Sequence, residues 1–244
     1  CIHEGGHALY EQGLPADEYG LPLGEACSYS IHESQSRFWE NGIGRSRAFC
    51  SFLFPLLNRL FPKELEGWDE ELLFKSVNCV KPSLIRTEAD EITYHFHVAI
   101  RYELEKKLLN NELKNKDIPH FWAASYKKHL GLNIPDDNQG CLQDVHWAHG
   151  SLGYFPTYSM GSQYAAQLFN HFTSLKPAWE AEISKGIFSA PHQWLKNQVF
   201  IHGKFFNSLE LCNISTGKPF TTSEFIWYLE NKFRIHYQTQ PAQG

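Results

Sequence analysis

The first seven residues constrain this chain more than any other stretch. The sequence begins CIHEGGHALYEQ, in which His3 and His7 are four residues apart and Glu4 directly follows the first histidine. Residues i and i+4 of a helix lie on one face, so both imidazoles can bind one metal ion. Glu4 is poorly placed as a third ligand, but it can accept a proton from a metal-bound water as general base. The pattern predicts a metal site, although a surface helix with two unrelated histidines would show the same spacing.

The composition predicts a globular protein. The chain has 244 residues, of which 42% are hydrophobic and 15% aromatic, enough to bury a substantial core. The net charge is −5 and no run of lysine and arginine exceeds two residues, so we expect no binding to nucleic acid or to a membrane surface. The six cysteines form no C-x-x-C pair, which predicts reduced thiols in a cytoplasmic protein.

Hydrophobic periodicity predicts helices for most of the chain. A proline at position 55 predicts a kink or break in one of them. The segment VNCVKPSLIR (77–86) combines β-branched residues with a proline, which predicts a short or edge strand. The expected fold class is therefore mainly α with a minor β element. The main predicted helices cover residues 1–12, 31 to 40–42, 44–60, 88–114, 119–130, 142–150, 157–172 and 225–237.

The two histidines need a third ligand, and five glutamates follow within reach: Glu11, Glu18, Glu25, Glu33 and Glu40. Glu33 lies in SIHESQSRFWEN, and a helix there, antiparallel to the first, would present Glu33 to the two imidazoles. Two histidines and one glutamate form a known catalytic zinc set. Any one of the five could instead be a solvated surface carboxylate.

Four ordered blocks resemble the successive signatures of a known family. They read HEGGHALYEQGLP, IHESQSRFWEN, PSLIRTEADEITYHFHVAIRYELE and GCLQDVHWAHGSLGYFPTYSMGSQYAAQL. In this order they are similar to the carboxypeptidase Taq family of zinc-dependent metallocarboxypeptidases, and GKPFTTSEFIWYLENKFRIHY resembles that family's C-terminus. Four ordered blocks are more specific than one short histidine motif.

The resemblance implies a mainly α metallopeptidase with a deep groove, related to the oligopeptidase-like gluzincins. It implies zinc bound by His3, His7 and Glu33, with Glu4 as general base. It also implies a homodimer that removes residues one at a time from the free C-terminus of peptides, with broad specificity and poor action at proline. Cobalt can occupy the same type of site.

An enzyme that acts at a free C-terminus must recognise a carboxylate, which arginine does best by bidentate pairing. Arg86 in IRTEAD is suited to this role. An ion pair with Glu88 or Asp90 is the structural alternative for Arg86.

The tetrahedral intermediate of peptide hydrolysis needs hydrogen-bond donors. His146 and Tyr158 are our candidates for stabilising it, and Tyr154 is our candidate for substrate binding, since a tyrosine donates while neutral. Alternatively, His146 orients another side chain and the tyrosines pack. Gln143 and Asp144 are expected to hold a ligand imidazole.

The chain departs from the family at its start. Family members have a long N-terminal half, with an Asp-x-Arg-x-Thr block, before the histidine motif. We therefore expect residues 1–244 to be the C-terminal catalytic portion of a larger metallocarboxypeptidase, weak in metal binding or inactive when isolated. Two alternatives are a non-catalytic fragment acting as an oligomerisation or peptide-binding module, and a gluzincin oligopeptidase.

Overall fold

The computed structural model describes residues 1–237, so the last seven residues of the predicted 1–244 portion lie outside the described part. Within residues 1–237 the chain forms helices and turns, and no strand. The helices are α1 (Ile2–Gly13), α2 (Tyr29–Arg37), α3 (Arg47–Leu60), α4 (Glu70–Val77), α5 (Tyr94–Leu109), α6 (Ile118–Leu130), α7 (Pro156–Leu175), α8 (Trp179–Ile183), α9 (Ser189–Gln198), α10 (Ser208–Thr216) and α11 (Thr222–Tyr237).

The mainly helical class is confirmed, but the predicted strand in 77–86 is wrong. Pro82 has no N–H to donate to a neighbouring strand. The N–H of Lys81 donates instead to Oδ2 of Asp90 at 3.1 Å. The carboxylate of Asp90 therefore accepts the backbone hydrogen bond that a neighbouring strand would otherwise have accepted.

Several other helix predictions also differ from the structure. Helix α5 begins at Tyr94 rather than at 88, because Oδ1 of Asp90 accepts hydrogen bonds from the N–H groups of Ile92 and Thr93 in the preceding turn. Residues 142–150 contain only a short 3-10 turn, Trp147–His149. Helix α3 continues through Pro55 without a break.

The helices form two compact units. Unit 1 consists of Cys1–Asn78 and the residues from Met160 onward, and unit 2 consists of Cys79–Ser159. The histidine motif lies in unit 1. Arg86, His146 and the two candidate tyrosines lie in unit 2.

In unit 1, α1 packs closely against α2 at a glycine. A Cβ atom at Gly6 would lie 2.6 Å from Cα of Ser36 and 2.7 Å from the carbonyl oxygen of Gln35. Helix α2 starts at an N-cap, where Oγ of Ser28 accepts from the N–H of Ile31 at 3.1 Å. The close approach places the histidines of α1 beside the glutamate of α2.

A π-helix, Phe38–Gly44, continues directly from α2. Phe38 and Ile43 are buried in the aromatic core of unit 1, at 0% and 1% exposure. Glu40 lies between them and extends its carboxylate back to α1. Short π-helical segments occur frequently at functional sites, and this one carries a side chain of the candidate site.

In unit 2, α5 and α6 pack around Trp122, Tyr126 and Leu104, each at most 1% exposed. Helix α6 ends at Gly131, whose φ of 73° is the left-handed conformation that glycine adopts without strain. Arg101 of α5 is fully buried beside this core, so its charge must be paired inside the unit.

Across residues 1–237, no helix has both the length and the apolar character needed to cross a bilayer.

Candidate metal centre

The two histidines of α1 and one glutamate of α2 converge. His3, His7 and Glu33 each offer a ligand atom, and these atoms lie within 4.8 Å of one another. Oε2 of Glu33 lies 3.8 Å from Nε2 of His3 and 3.6 Å from Nε2 of His7. Zinc bonds of about 2.0–2.2 Å in a tetrahedral arrangement place ligand atoms roughly 3.3–3.6 Å apart. The observed separations of 3.6 and 3.8 Å lie at or slightly above that range, and the donor set suits a zinc-like cation.

Among the five glutamates considered from the sequence, Glu33 is the one in this group. Glu11 bonds to His32, and Glu25 pairs with Lys204 at 3.2 Å on the surface. Glu40 lies on the other side of His3, where Oε2 is 2.8 Å from Nδ1 of the imidazole.

The bond to Glu40 fixes the role of each nitrogen of His3. A carboxylate accepts, so Nδ1 of His3 donates to Glu40 and the neutral ring leaves Nε2 without a proton. Nε2 is the atom that faces Glu33. A metal-binding histidine commonly has such a carboxylate partner, which orients the ring and raises its basicity.

His7 is supported by a longer chain of bonds. Nδ1 of His7 lies 2.6 Å from Nδ1 of His32, and Nε2 of His32 lies 2.7 Å from Oε1 of Glu11. If Glu11 accepts from His32, then Nδ1 of His32 accepts from Nδ1 of His7. Nε2 of His7 is then unprotonated and faces Glu33, as Nε2 of His3 does.

Glu33 is 5% exposed, and its charge is held by an arginine of its own helix. Nε of Arg37 donates to Oε1 of Glu33 at 2.7 Å, and Nη1 donates to Oε2 of Glu40 at 3.0 Å. Burial raises the pKa of Glu33, but the charge of Arg37 and its hydrogen bond to Oε1 outweigh burial, so the pKa lies below its usual value. The glutamate is therefore ionised at neutral pH.

Glu40 is also ionised. Burial raises its pKa, but the bond with His3 and the charges of Arg37 and Arg45 lower it to about 2. Nη2 of Arg45 donates to Oε1 of Glu40 at 3.0 Å, so both carboxylate oxygens of Glu40 accept hydrogen bonds.

Glu4, the candidate general base, lies on α1 between the two histidines with an exposed side chain.

In unit 2, Arg86 is 7% exposed and is paired with neither Glu88 nor Asp90 in the contacts of the described residues. Nε of Arg86 donates to Oδ1 of Asp144 at 2.9 Å, and Nη1 donates to the hydroxyl of Tyr94 at 3.1 Å. Arg86 therefore forms an ion pair, as the alternative proposed, but its partner is Asp144 and not Glu88 or Asp90.

Gln143 and Asp144 bind arginines rather than the expected ligand imidazole. Asp144 accepts from both Arg86 and Arg101, and Oε1 of Gln143 accepts from Nη2 of Arg101 at 2.8 Å. Burial raises the pKa of Asp144, but the charges of Arg101 and Arg86 lower it below its usual value. One carboxylate therefore holds two buried guanidinium groups.

The candidate donors of unit 2 lie together. Nε2 of His146 is 2.9 Å from the hydroxyl of Tyr158, and the ring of Tyr154 is 5.4 Å from the rings of both. Burial and the charge of Arg86 lower the pKa of His146, so its ring is neutral at pH 7. The guanidinium carbon of Arg86 lies 4.9 Å from the centre of the Tyr158 ring.

Arg37 and Arg101 were not singled out from the sequence. Arg37 had a local signal, because Glu33, Arg37 and Glu40 are spaced i, i+4 and i+7 and so share a helix face. Arg101 had no local sequence signal, since its partner Asp144 is 43 residues away.

The chain is similar to known metallopeptidases in sequence. The family model described as carboxypeptidase Taq (M32) metallopeptidase matches residues 1–233. The chain is 43% identical to thermostable carboxypeptidase 1 of Thermus thermophilus over 97% of its length, and 40% identical to carboxypeptidase 1 of Bacillus subtilis, also over 97%. These alignments cover 46% and 47% of the relatives, so the chain spans about half the length of the curated relatives it matches.

Solved structures are similar as well. The M32 carboxypeptidase from Deinococcus radiodurans has a TM-score of 0.93 and 43% identity, covering 98% of this chain and 48% of that one. A match over nearly the whole chain, in sequence and in fold, goes well beyond a shared motif. The chain belongs to the carboxypeptidase Taq (M32) metallopeptidase family.

Proposed function

We propose that this chain is the catalytic portion of a zinc-dependent metallocarboxypeptidase that releases C-terminal amino acids from peptides with broad specificity. The observation that carries the proposal is the convergence of Nε2 of His3, Nε2 of His7 and Oε2 of Glu33. Two histidines and one glutamate are the donor set of several catalytic zinc proteases. Family membership supports the reaction class.

A bound zinc ion would supply Lewis acidity, polarising a peptide carbonyl and lowering the pKa of a water molecule. The residues of the chain supply the rest. Glu40 and His32 orient the two imidazoles, and Arg37 keeps Glu33 ionised. Glu4 follows His3 directly on α1 and has an exposed carboxylate, which suits it to accept the proton of an attacking water.

Zinc is proposed over cobalt on ligand chemistry. Imidazole and carboxylate ligands in a three-residue set are typical of catalytic zinc. Cobalt(II) has similar ligand preferences and could occupy the same residues. Metal analysis of the purified protein would distinguish the two ions.

The roles of the unit 2 residues stay predictions. We propose Arg86 for the substrate carboxylate, Tyr154 for substrate binding, and His146 with Tyr158 for the developing oxyanion. Arg86 and Arg101 carry two positive charges opposed by the one carboxylate of Asp144, an excess that would favour an anionic substrate group. In the bond between the two side chains, the Nε2–H of a neutral His146 can donate to the hydroxyl oxygen of Tyr158, which leaves the O–H of Tyr158 to donate to the oxyanion.

A pair of peptides tests the carboxypeptidase proposal against the oligopeptidase alternative. One peptide has a free C-terminal carboxylate, and the other is the same sequence with a C-terminal amide. From the complete enzyme we expect stepwise release of C-terminal residues from the free acid and about 100-fold slower release from the amide, the order of a lost charged contact of about 3 kcal/mol. Internal cleavage of both peptides at equal rates would favour the oligopeptidase.

Several finer proposals rest on family resemblance. We propose a homodimer for the whole protein and peptides with free C-termini as its substrates. A cytoplasmic setting is also proposed, and the six free cysteines are consistent with it. We do not favour a non-catalytic module, because the ligand set and Glu4 are all present.

A further inference from the structure

The two oxygens of Glu33 have different surroundings. Oε1 accepts a hydrogen bond from Nε of Arg37 at 2.7 Å. Oε2 lies 3.8 Å from Nε2 of His3 and 3.6 Å from Nε2 of His7. A carboxylate can bind a metal ion through one oxygen or through both. Here one oxygen already has a charged donor, and the other faces the imidazoles.

Arg37 is itself held from a second side. Its Nη1 donates to Oε2 of Glu40 at 3.0 Å, and the same oxygen accepts from Nδ1 of His3 at 2.8 Å. A guanidinium is planar and presents its N–H groups in fixed directions. Arg37 therefore fixes the position of Glu33 relative to the carboxylate that orients His3. The side chain of Arg37 is only 13% exposed, so water competes little for these bonds.

We propose that Arg37 is a positioning residue that makes Glu33 a one-oxygen ligand, which keeps one coordination position of the metal open. The inference rests on the proposed function, since it concerns the same metal group. A catalytic zinc site keeps three protein ligands and one position for water or substrate. A Glu33 that bound through both oxygens would compete for that fourth position.

Arg45 provides a matched control. Both arginines donate to Glu40, Arg37 to Oε2 and Arg45 to Oε1, each at 3.0 Å. The bond to Glu33 comes from Arg37. Substituting either arginine removes one positive charge and one bond to Glu40, but only substitution of Arg37 removes the donor to Oε1 of Glu33.

The test uses cobalt(II) alone as the probe, because its visible absorption differs between four-coordinate and five-coordinate sites. The intact protein, Arg37→Gln and Arg45→Gln are loaded with cobalt, and affinity is measured by chelator competition. We expect four-coordinate spectra for the wild type and Arg45→Gln. For Arg37→Gln we expect a shift toward the five-coordinate spectrum and about 10–100-fold weaker binding.

Two outcomes would overturn the proposal. One is a wild-type spectrum for Arg37→Gln, and the other is the same spectral change in both variants, which would indicate a general effect through Glu40. Circular dichroism and melting of the metal-free proteins check folding. If Arg37→Gln does not fold, Arg37→Lys keeps the charge but lacks the planar pair of donors. The same spectral shift is then expected, and a four-coordinate spectrum would contradict the proposal.

The experiment separates this inference from the proposed function. If the spectra change as expected but the wild type releases no C-terminal residue, Arg37 positions Glu33 and the proposed activity fails. If residues are released and the spectra do not differ, only the positioning role fails.

Discussion

Gly161 of α7 lies directly against Glu33 of α2. A methyl group at position 161 would lie 2.6 Å from Cβ and 2.5 Å from Cγ of the glutamate. Protein interiors are close-packed, and such distances cannot be accommodated without moving one of the groups. The position of Glu33, the third candidate metal ligand, therefore depends on a glycine of α7, which is distant from α2 in the sequence.

We expect Gly161→Ala to displace Glu33 and weaken metal binding. Overpacking of this kind costs about 1–3 kcal/mol, so we expect lower thermal stability as well. Chelator competition and melting of the metal-free protein measure the two effects. Met160→Ala is the control, since Met160 precedes Gly161 and is 37% exposed. Equal metal affinity in the two variants would show that Glu33 does not need this gap.

The two glycines of the histidine motif should respond in opposite directions to alanine. At Gly6 a Cβ atom would meet the backbone of α2 at 2.6–2.7 Å, whereas at Gly5 nothing lies within 4 Å. We expect Gly6→Ala to lower the free energy of unfolding by about 1–3 kcal/mol. Gly5→Ala should raise it by up to about 1 kcal/mol, because alanine favours a helix. Urea unfolding of the metal-free proteins measures both, and equal effects would refute the predicted contact.

The two histidines should depend unequally on their carboxylate partners. Glu40 contacts His3 directly, with its side chain 20% exposed, whereas Glu11 acts on His7 only through His32 and is 57% exposed. We expect Glu40→Gln to weaken metal binding by about 10–100-fold. Glu11→Gln should have a smaller effect, since water screens an exposed charge. Chelator competition measures both variants, and a larger loss in Glu11→Gln would reverse the assignment.

A buried histidine of unit 2 should make stability depend on pH. Burial, aided by the charges of Arg101 and Arg86, lowers the pKa of His97 to about 3. In the unfolded chain it titrates near its usual pKa of about 6.5. Below that pH the unfolded state binds a proton that the folded state does not. Stability is therefore lost as the pH falls from about 6.5 toward 3.

Substitution of His97 tests this dependence. From pH 7.5 to 5.5 the histidine alone should cost about 1.4 kcal/mol of unfolding free energy. Over the same pH range, we expect the unfolding free energy of His97→Gln to fall by about 1.4 kcal/mol less than that of the wild type. Urea unfolding at the two pH values, with a chelator present throughout, measures the difference. Parallel losses in the two proteins would mean that His97 is protonated in the folded state.

The sequence was sufficient where the signals were local. Helices α1, α6 and α7 were predicted nearly to their observed ends, because apolar periodicity and stop signals lie within each segment. The spacing of His3 and His7 alone predicted that the two imidazoles lie together, as they do in the structure. Glu33 followed from the need for a third ligand and from the family resemblance.

The sequence was insufficient where distant residues decide the structure. The alternative considered for Arg86 was an ion pair with a near neighbour, but its carboxylate partner, Asp144, is 58 residues away. Residues 142–150 were predicted to be a helix. The carboxylate of Glu105 accepts from Nε1 of Trp147 at 2.7 Å and from the N–H of Gly153 at 3.1 Å, contacts that hold this segment in turns. Tertiary bonds of this kind have no signature in a local pattern.

The central claim is a metal-dependent release of C-terminal residues with Glu4 as general base. The most direct measurement combines metal content with release of C-terminal amino acids, on the complete enzyme of which we propose this chain to be the catalytic portion and on its Glu4→Gln variant. We predict about one zinc ion per chain in both proteins, and release that is abolished in the variant. Unchanged release by Glu4→Gln, or a wild type that is active without bound metal, would contradict the account.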